Sequence, residues 1–184
     1  MALQVIPQVI PEIKLVIPEV FGDSRGFFQE TFQAEKYREA GITVPFIQDN
    51  WSRSKKGTLR GLHYQLPNPQ DKLVWAVSGE IYDVAVDVRR GSPTFGQWVG
   101  VILSSANHHQ LFIPAGFAHG FCVMSDEADF MYKCSANYSP KDEKGILWSD
   151  PALNIPWPAE NPILSKRDAV AKPLKAMSPD ELPA

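Results

Sequence analysis

Cysteine, clustered charge and long apolar runs are all scarce in this chain of 184 residues. Its two cysteines, Cys122 and Cys134, stand outside any CxxC or Cys/His zinc spacing. Both therefore read as buried thiols, which suits a reducing compartment and a cytoplasmic location. No five like charges adjoin and the formal net charge is only -3, which argues against a nucleic-acid partner. No run approaches the ~18 apolar residues of a membrane span. The opening MALQVIPQVI has no basic segment and is broken by proline, so it does not read as a secretory leader. Helical periodicity is scarce too. One good candidate covers Gln33 to Ala40, with Gly41 as its stop. No internal repeat or linker divides the chain, so residues 1–184 are expected to form one domain, with a core over about 12–170.

Proline and glycine are abundant, at 16 and 12, and cut the sequence into short pieces. Within these, side chains alternate with a period of two. Tyr82, Val84, Val86 and Val88 oppose Asp83 and Asp87. Leu73, Trp75 and Val77 alternate with Lys72, Val74 and Ala76, and Phe130, Tyr132 and Cys134 with Asp129, Met131 and Lys133. That period is a strand signal. It predicts strands near 12–17, 27–32, 46–53, 58–65, 72–78, 81–89, 97–103, 110–113, 119–125 and 128–136. An all-β sandwich, jelly roll or small barrel with one or two short helices accommodates them. The proline-rich, mostly polar stretch from Ala169 to Ala184 reads as a partly mobile tail.

Three clusters carry chemistry. In Thr58-Leu59-Arg60-Gly61-Leu62-His63-Tyr64-Gln65, His63 and Gln65 share a strand face, and a bulge at Gly61 would turn Arg60 to the same side. Arg60 and Lys72 have no carboxylate on their own strand face close in sequence, and a bound phosphate would supply the missing charge. The second cluster, Pro114-Ala115-Gly116-Phe117-Ala118-His119-Gly120, resembles the second motif of the cupins. In metal-binding cupins that histidine joins an HxH pair and a glutamate. Here the HxH position reads His63-Tyr64-Gln65, and Lys72 stands where the glutamate is expected. An ammonium is a poor neighbour for a divalent cation, so a cupin-like barrel is inferred whose metal centre has given way to acid–base groups. The third cluster, Phe21 to Glu30 with Gln48-Asp49-Asn50, combines arginine, amides, carboxylates and aromatics suited to a nucleotide, or alternatively forms only a turn entering an edge strand.

Taken in order, GDSRGFFQETF, QDNWSRS, LRGLHYQ, Lys72, IPAGFAHGF, YKCSANYSP and LSKRD resemble the dTDP-4-dehydrorhamnose 3,5-epimerases over about residues 12–170. This resemblance implies a cupin-like jelly-roll barrel, a dTDP-4-keto-6-deoxyhexose substrate, a homodimer, and neither metal nor cofactor. It implies His63 as general base, oriented by Asp168, Tyr132 as the opposing acid, and Lys72 beside the developing enolate. Arg60 and His119 would line the same pocket. The nucleotide half would fall to Arg25, Glu30, Gln48, Asp49, Asn50 and Glu143, with Tyr138 stacking on the base. Family members often read Glu-Lys-Asp where this chain has Lys166-Arg167-Asp168. The phosphate contact goes to Arg167 by its place beside Asp168, with Lys166 able to share it. Residues before Pro11 have no counterpart and offer an exchanged or interfacial strand.

The implied chemistry suits these residue types. Protons on carbons 3 and 5 of a 4-keto sugar are both alpha to the ketone, so each can leave to give an enolate. Neutral imidazole, with an ordinary pKa of ~6.5, is a competent base near neutral pH. A fixed cation at the ketone oxygen stabilises the enolate, and losing one such donor typically costs roughly 3–4 kcal/mol. Three rivals remain: a metal-dependent cupin enzyme, a non-catalytic sugar-nucleotide-binding protein, and an epimerase acting at carbon 3 or carbon 5 alone.

Overall fold

The computed structural model describes residues 2–184. In chain order the elements are β1 (Leu3–Pro7), β2 (Lys14–Pro18), β3 (Val20–Asp23), β4 (Gly26–Gln29), α1 (Ala34–Glu39), β5 (Gln48–Lys55) and β6 (Leu59–Gln65). They continue with β7 (Lys72–Ser78), β8 (Glu80–Asp87), β9 (Trp98–Ser104), β10 (Gln110–Ile113), β11 (Phe117–Val123), β12 (Glu127–Cys134) and β13 (Glu143–Gly145). One sheet has the order β1-β2-β10-β7-β12-β5 and the other β13-β6-β11-β8-β9. Among the described residues, β3 and β4 pair only with each other. Every ladder is antiparallel, and the two large sheets face each other as a jelly-roll barrel.

All ten expected strands are present with their ends moved by a few residues, and the expected helix is α1. Gln33 caps α1 by accepting from the Lys36 N–H, and Gly41 ends it at a φ of +81°. Three strands escaped the pattern. β1 closes on a proline, tolerated because β1 is a sheet edge. β3 contains Gly22, and β13 is a three-residue polar piece. These strands are held by pairing rather than by alternation of their own.

Alternation on β7 and β8 is resolved by burial on both faces. Val74 and Ala76 face the barrel interior with Ile81, Ala85, Leu111, Phe121 and Phe130, while Leu73 and Trp75 pack outward on Tyr37 of α1, Ile42 and Phe112. Val84 and Val86 of β8, and Val88 just past its end, pack outward under Leu153, Leu174 and Leu182. The aspartates therefore occupy the interior parity. The C-terminal stretch, expected to be partly mobile, instead covers this outer valine face. It does so through 3-10 turns at Leu174–Ala176 and Pro179–Glu181, the buried Leu174 and Leu182, and a 3.0 Å bond from the Arg90 N–H to the Pro183 carbonyl. The valine face needs apolar cover, and the leucines spaced along the tail supply it.

Inside the barrel the contents are segregated. Phe121 and Phe130, with ring centroids 4.3 Å apart, stand between the apolar interior and a polar cleft that both also line.

Candidate active site

The cleft has a volume of about 590 Å³ and is walled by β6, β11 and β13 on one side and β5, β7 and β12 on the other. Ile163, Leu164, Ser165, Arg167 and Asp168 complete its lining. Alternation decides which side chains enter. Cys134 lies opposite Gln48 and Lys72, and Tyr132 opposite Asn50, so these five share one wall. From the opposite sheet, His63 and His119 are direct cross-strand partners.

The expected bulge sits between these histidines and Arg60. The β6–β11 register shifts after His119↔His63, so that Phe121 meets Arg60. Gly61 supplies the extra residue at a φ of +117°. A Cβ there would lie 2.6 Å from the Gly120 Cα, and one on Gly120 would lie 2.7 Å from the Arg60 carbonyl. The LRGLH and AHG glycines thus let two backbones touch while Arg60 enters the cleft with His63.

His63 Nε2 lies 2.6 Å from Asp168 Oδ1, and its Nδ1 lies 3.5 Å from Glu143 Oε1. Burial alone would raise the Asp168 pKa. The hydrogen bond and charge of His63, the Ser165 hydroxyl and the Gly61 N–H outweigh it and hold the carboxyl below the usual range. An ionised Asp168 accepts from Nε2–H, which leaves the Nδ1 lone pair as the basic position. Tyr132 approaches from the facing sheet. Burial, with Cys134 behind it, raises its pKa, so the hydroxyl keeps its proton near neutrality. Burial lowers the Lys72 pKa, and Cys134, Glu143 and Asp83 oppose that shift.

At the outer end of the cleft, Tyr138 donates to Glu143 at 2.8 Å, and its backbone N–H donates to Gln48 at the same distance. Arg167 pairs with Glu143 and donates to its carbonyl at 2.7 Å. Arg167, not Lys166, lines the cleft. The structure thus brings together His63, Tyr132, Asp168, Lys72, Arg60, His119, Gln48, Asn50, Tyr138, Glu143 and Arg167.

Three expected substrate-binding residues lie elsewhere. Asp49 is on the opposite parity of β5 from Gln48 and Asn50, and it pairs with Lys133 at 2.9 Å outside the cleft. Glu30 pairs with Lys36 at 2.6 Å. Arg25 sits at the tip of the β3–β4 hairpin, with its side chain 88% exposed and paired with Asp23. Sequence reasoning missed Asp83, Ser165 and the place of Cys134 in the cleft. The parity shared by Tyr132 and Cys134 was the available signal for Cys134. Ser165, on an irregular segment, offered none.

A base held by a carboxylate on one wall, a phenol on the other and a partly buried lysine define an acid–base enzyme on a cupin-like jelly-roll barrel. The model of the dTDP-4-dehydrorhamnose 3,5-epimerase family matches residues 7–176. A dTDP-4-dehydrorhamnose 3,5-epimerase of Shigella flexneri is 58% identical over 90% of this chain and 93% of its own length. A crystal structure of dTDP-6-deoxy-D-glucose-3,5-epimerase from Legionella pneumophila, in complex with dTDP-4-keto-L-rhamnose, superposes with a TM-score of 0.97. It is 54% identical, covering 99% of this chain and 98% of that one. A 3'-monoepimerase from Streptomyces bikiniensis in complex with dTDP-quinovose has a TM-score of 0.87 at 38% identity, covering 92% of this chain and 87% of its own. The chain belongs to the dTDP-4-dehydrorhamnose 3,5-epimerase family.

Proposed function

We propose that this protein inverts carbons 3 and 5 of dTDP-4-dehydro-6-deoxy-D-glucose, giving dTDP-4-dehydro-L-rhamnose for dTDP-L-rhamnose synthesis. The observation that carries this is the placement of His63 and Tyr132 on opposite walls of one cleft. His63 Nδ1 removes the proton alpha to the ketone. Asp168 holds the ring and stabilises the imidazolium. Lys72 meets the charge that develops on the ketone oxygen, and Tyr132 returns a proton on the other face. Inversion requires that the two transfers come from opposite sides, which a base and an acid on facing sheets provide.

The nucleotide lies toward Gln48, Asn50, Glu143 and Arg167, with the base against Tyr138, which is half-exposed at the rim. Arg25 and Glu30 serve the site of a second copy in a homodimer. The β3–β4 hairpin that carries Arg25 pairs with no other strand and exposes Phe27 and Phe28 at 64% and 61%. Apolar area of that kind favours a partner surface. The enzyme works in the cytoplasm, where both free thiols are stable. No metal takes part. The positions where metal-binding cupins carry ligands hold His63, Gln65, Lys72 and His119, and the ammonium opposes a cation.

The test is an NMR time course in deuterated water with dTDP-4-keto-6-deoxyglucose and protein dialysed against chelator. Deuterium should enter at carbons 3 and 5 as the L-rhamno product appears. Exchange at one carbon alone assigns the protein to the single-position epimerases, and binding without exchange assigns it to the binding proteins. Activity that returns only on adding a divalent ion refutes the metal-free reading.

A further inference from the structure

His63–Asp168 is not the only histidine–carboxylate pair in the cleft. His119 Nε2 lies 2.9 Å from Asp83 Oδ2, and Asp83 is completely buried on the interior parity of β8. Its other oxygen, Oδ1, is buried with no hydrogen-bond partner. A buried carboxylate left half-satisfied is costly, so stability alone does not account for it. The His119 ring is held almost parallel to Phe130 at a centroid distance of 6.0 Å, and it lines the cleft. Among the described residues its Nδ1 has no hydrogen-bond partner, yet it is not buried as Asp83 Oδ1 is, so it opens to the cavity.

We propose that Asp83 is a positioning residue for the epimerisation. By accepting the His119 Nε2–H it fixes one tautomer, so that His119 presents the Nδ1 lone pair to a substrate hydroxyl. The inference rests on the function proposed above. Burial keeps His119 neutral: it lowers the imidazole pKa, Asp83 opposes the shift, and the charges of Lys72 and His63 add to it. Burial lowers the Lys72 pKa, and Asp83 opposes that shift together with Cys134 and Glu143, so the same buried carboxyl group bears on both Lys72 and the imidazole. Lys72 belongs at the ketone oxygen, and His119, the cross-strand partner of His63, lines the cleft with both and feels the charge of each. The hydroxyl that meets His119 is therefore the one on carbon 3, since the other neighbour of the ketone, carbon 5, carries a methyl group and the ring oxygen. The two histidines then face the sugar with the same ring nitrogen. His63 takes a proton from carbon, and His119 accepts a hydrogen bond that holds the ring in place for it.

The tautomer is read directly from imidazole 15N shifts of the intact protein, with His119 assigned by comparison with His119→Gln. Near neutral pH, His119 should show a protonated Nε2 and a bare Nδ1. The opposite tautomer, or an imidazolium, overturns the proposal whatever the enzymatic activity. His119→Gln keeps a donor for Asp83 and removes the Nδ1 acceptor. Asp83→Asn leaves the histidine but weakens its orientation. Each should lower kcat/KM for the keto-sugar about tenfold or more, the scale of one lost hydrogen bond in a desolvated site. Binding of dTDP, which does not reach the sugar pocket, should stay within about twofold. A fall of less than about threefold in the glutamine variant, which keeps Asp83 paired, overturns the proposal even if Asp83→Asn does not fold. Wild-type protein with no epimerase activity refutes the functional reading instead, and the 15N shifts still decide the tautomer.

Discussion

Replacing Asp168 by asparagine keeps the shape of the side chain but exchanges one acceptor oxygen for an NH₂ donor and removes a charge. The carboxylate accepts from His63 Nε2–H at 2.6 Å, and the nearby Ser165 hydroxyl and Gly61 N–H also favour its charged form. Asparagine has one oxygen to offer, so its NH₂ must turn toward a group that is itself donating. If it faces His63, the ring is driven to the Nδ1–H tautomer and the basic lone pair leaves the cleft. If it faces Gly61 or Ser165, a buried donor is left unpaired beside the bulge and the imidazolium loses its counter-charge. A charge-assisted hydrogen bond contributes about 1.5–3 kcal/mol, or about 10- to 150-fold in rate. Tautomer inversion carries the loss further, toward the ~10⁴-fold seen for the corresponding change in serine-protease triads. The expected fall in kcat is therefore about 10²–10⁴-fold, smaller than for His63→Ala, with dTDP affinity preserved. Deuterium uptake at carbons 3 and 5, followed by NMR alongside calorimetric binding of dTDP, measures both. Exchange within about threefold of wild type would show that Asp168 neither sets the tautomer nor stabilises the imidazolium.

Three further outcomes follow from the same geometry. Tyr132→Phe should leave deuterium exchange running through His63 while net inversion falls by about 10²-fold or more; NMR separates the two, and inversion at the wild-type rate would make Tyr132 a core aromatic beside Phe130. Asp87 is fully buried; burial raises its pKa, but the donors Arg89, Ser92 and Thr94 outweigh that and hold it at about 2. Its contribution of about 2–3 kcal/mol is complete above about pH 5 and is lost as pH falls toward about 2. Denaturant titrations of Asp87→Asn should show lower stability at neutral pH and a flatter acid limb, and a limb as steep as wild type refutes the assignment. Light scattering at micromolar concentration should give about twice the 20.5 kDa chain mass, whereas a mass near one chain refutes the homodimer.

Much of the architecture is written in local pattern, because a strand with one buried face must alternate and a turn must spend glycine or proline. The ten strands, α1 and the bulge at Gly61 were legible for that reason. The grouping of His63, Lys72, Tyr132 and His119 came from the resemblance of their motifs to a known family. Parity does not say which face is inside when both are buried. Val84 and Val86, with Val88 beyond them, look like the core side of β8, yet the C-terminal leucines cover them from outside and Asp83 and Ala85 take the interior. That arrangement depends on residues about ninety positions away in the chain, so only the assembled barrel revealed the Asp83–His119 pair. The same limit applied to Asp49, Arg25 and Glu30. Their residue types suit a nucleotide, but side-chain direction on β5 and the projection of the hairpin decide which cavity they can reach. Sequence by itself determined the chemistry available and the strands that carry it. Tertiary structure decided which wall each group stands on, because packing across sheets, not spacing along the chain, sets the side from which a proton leaves and returns.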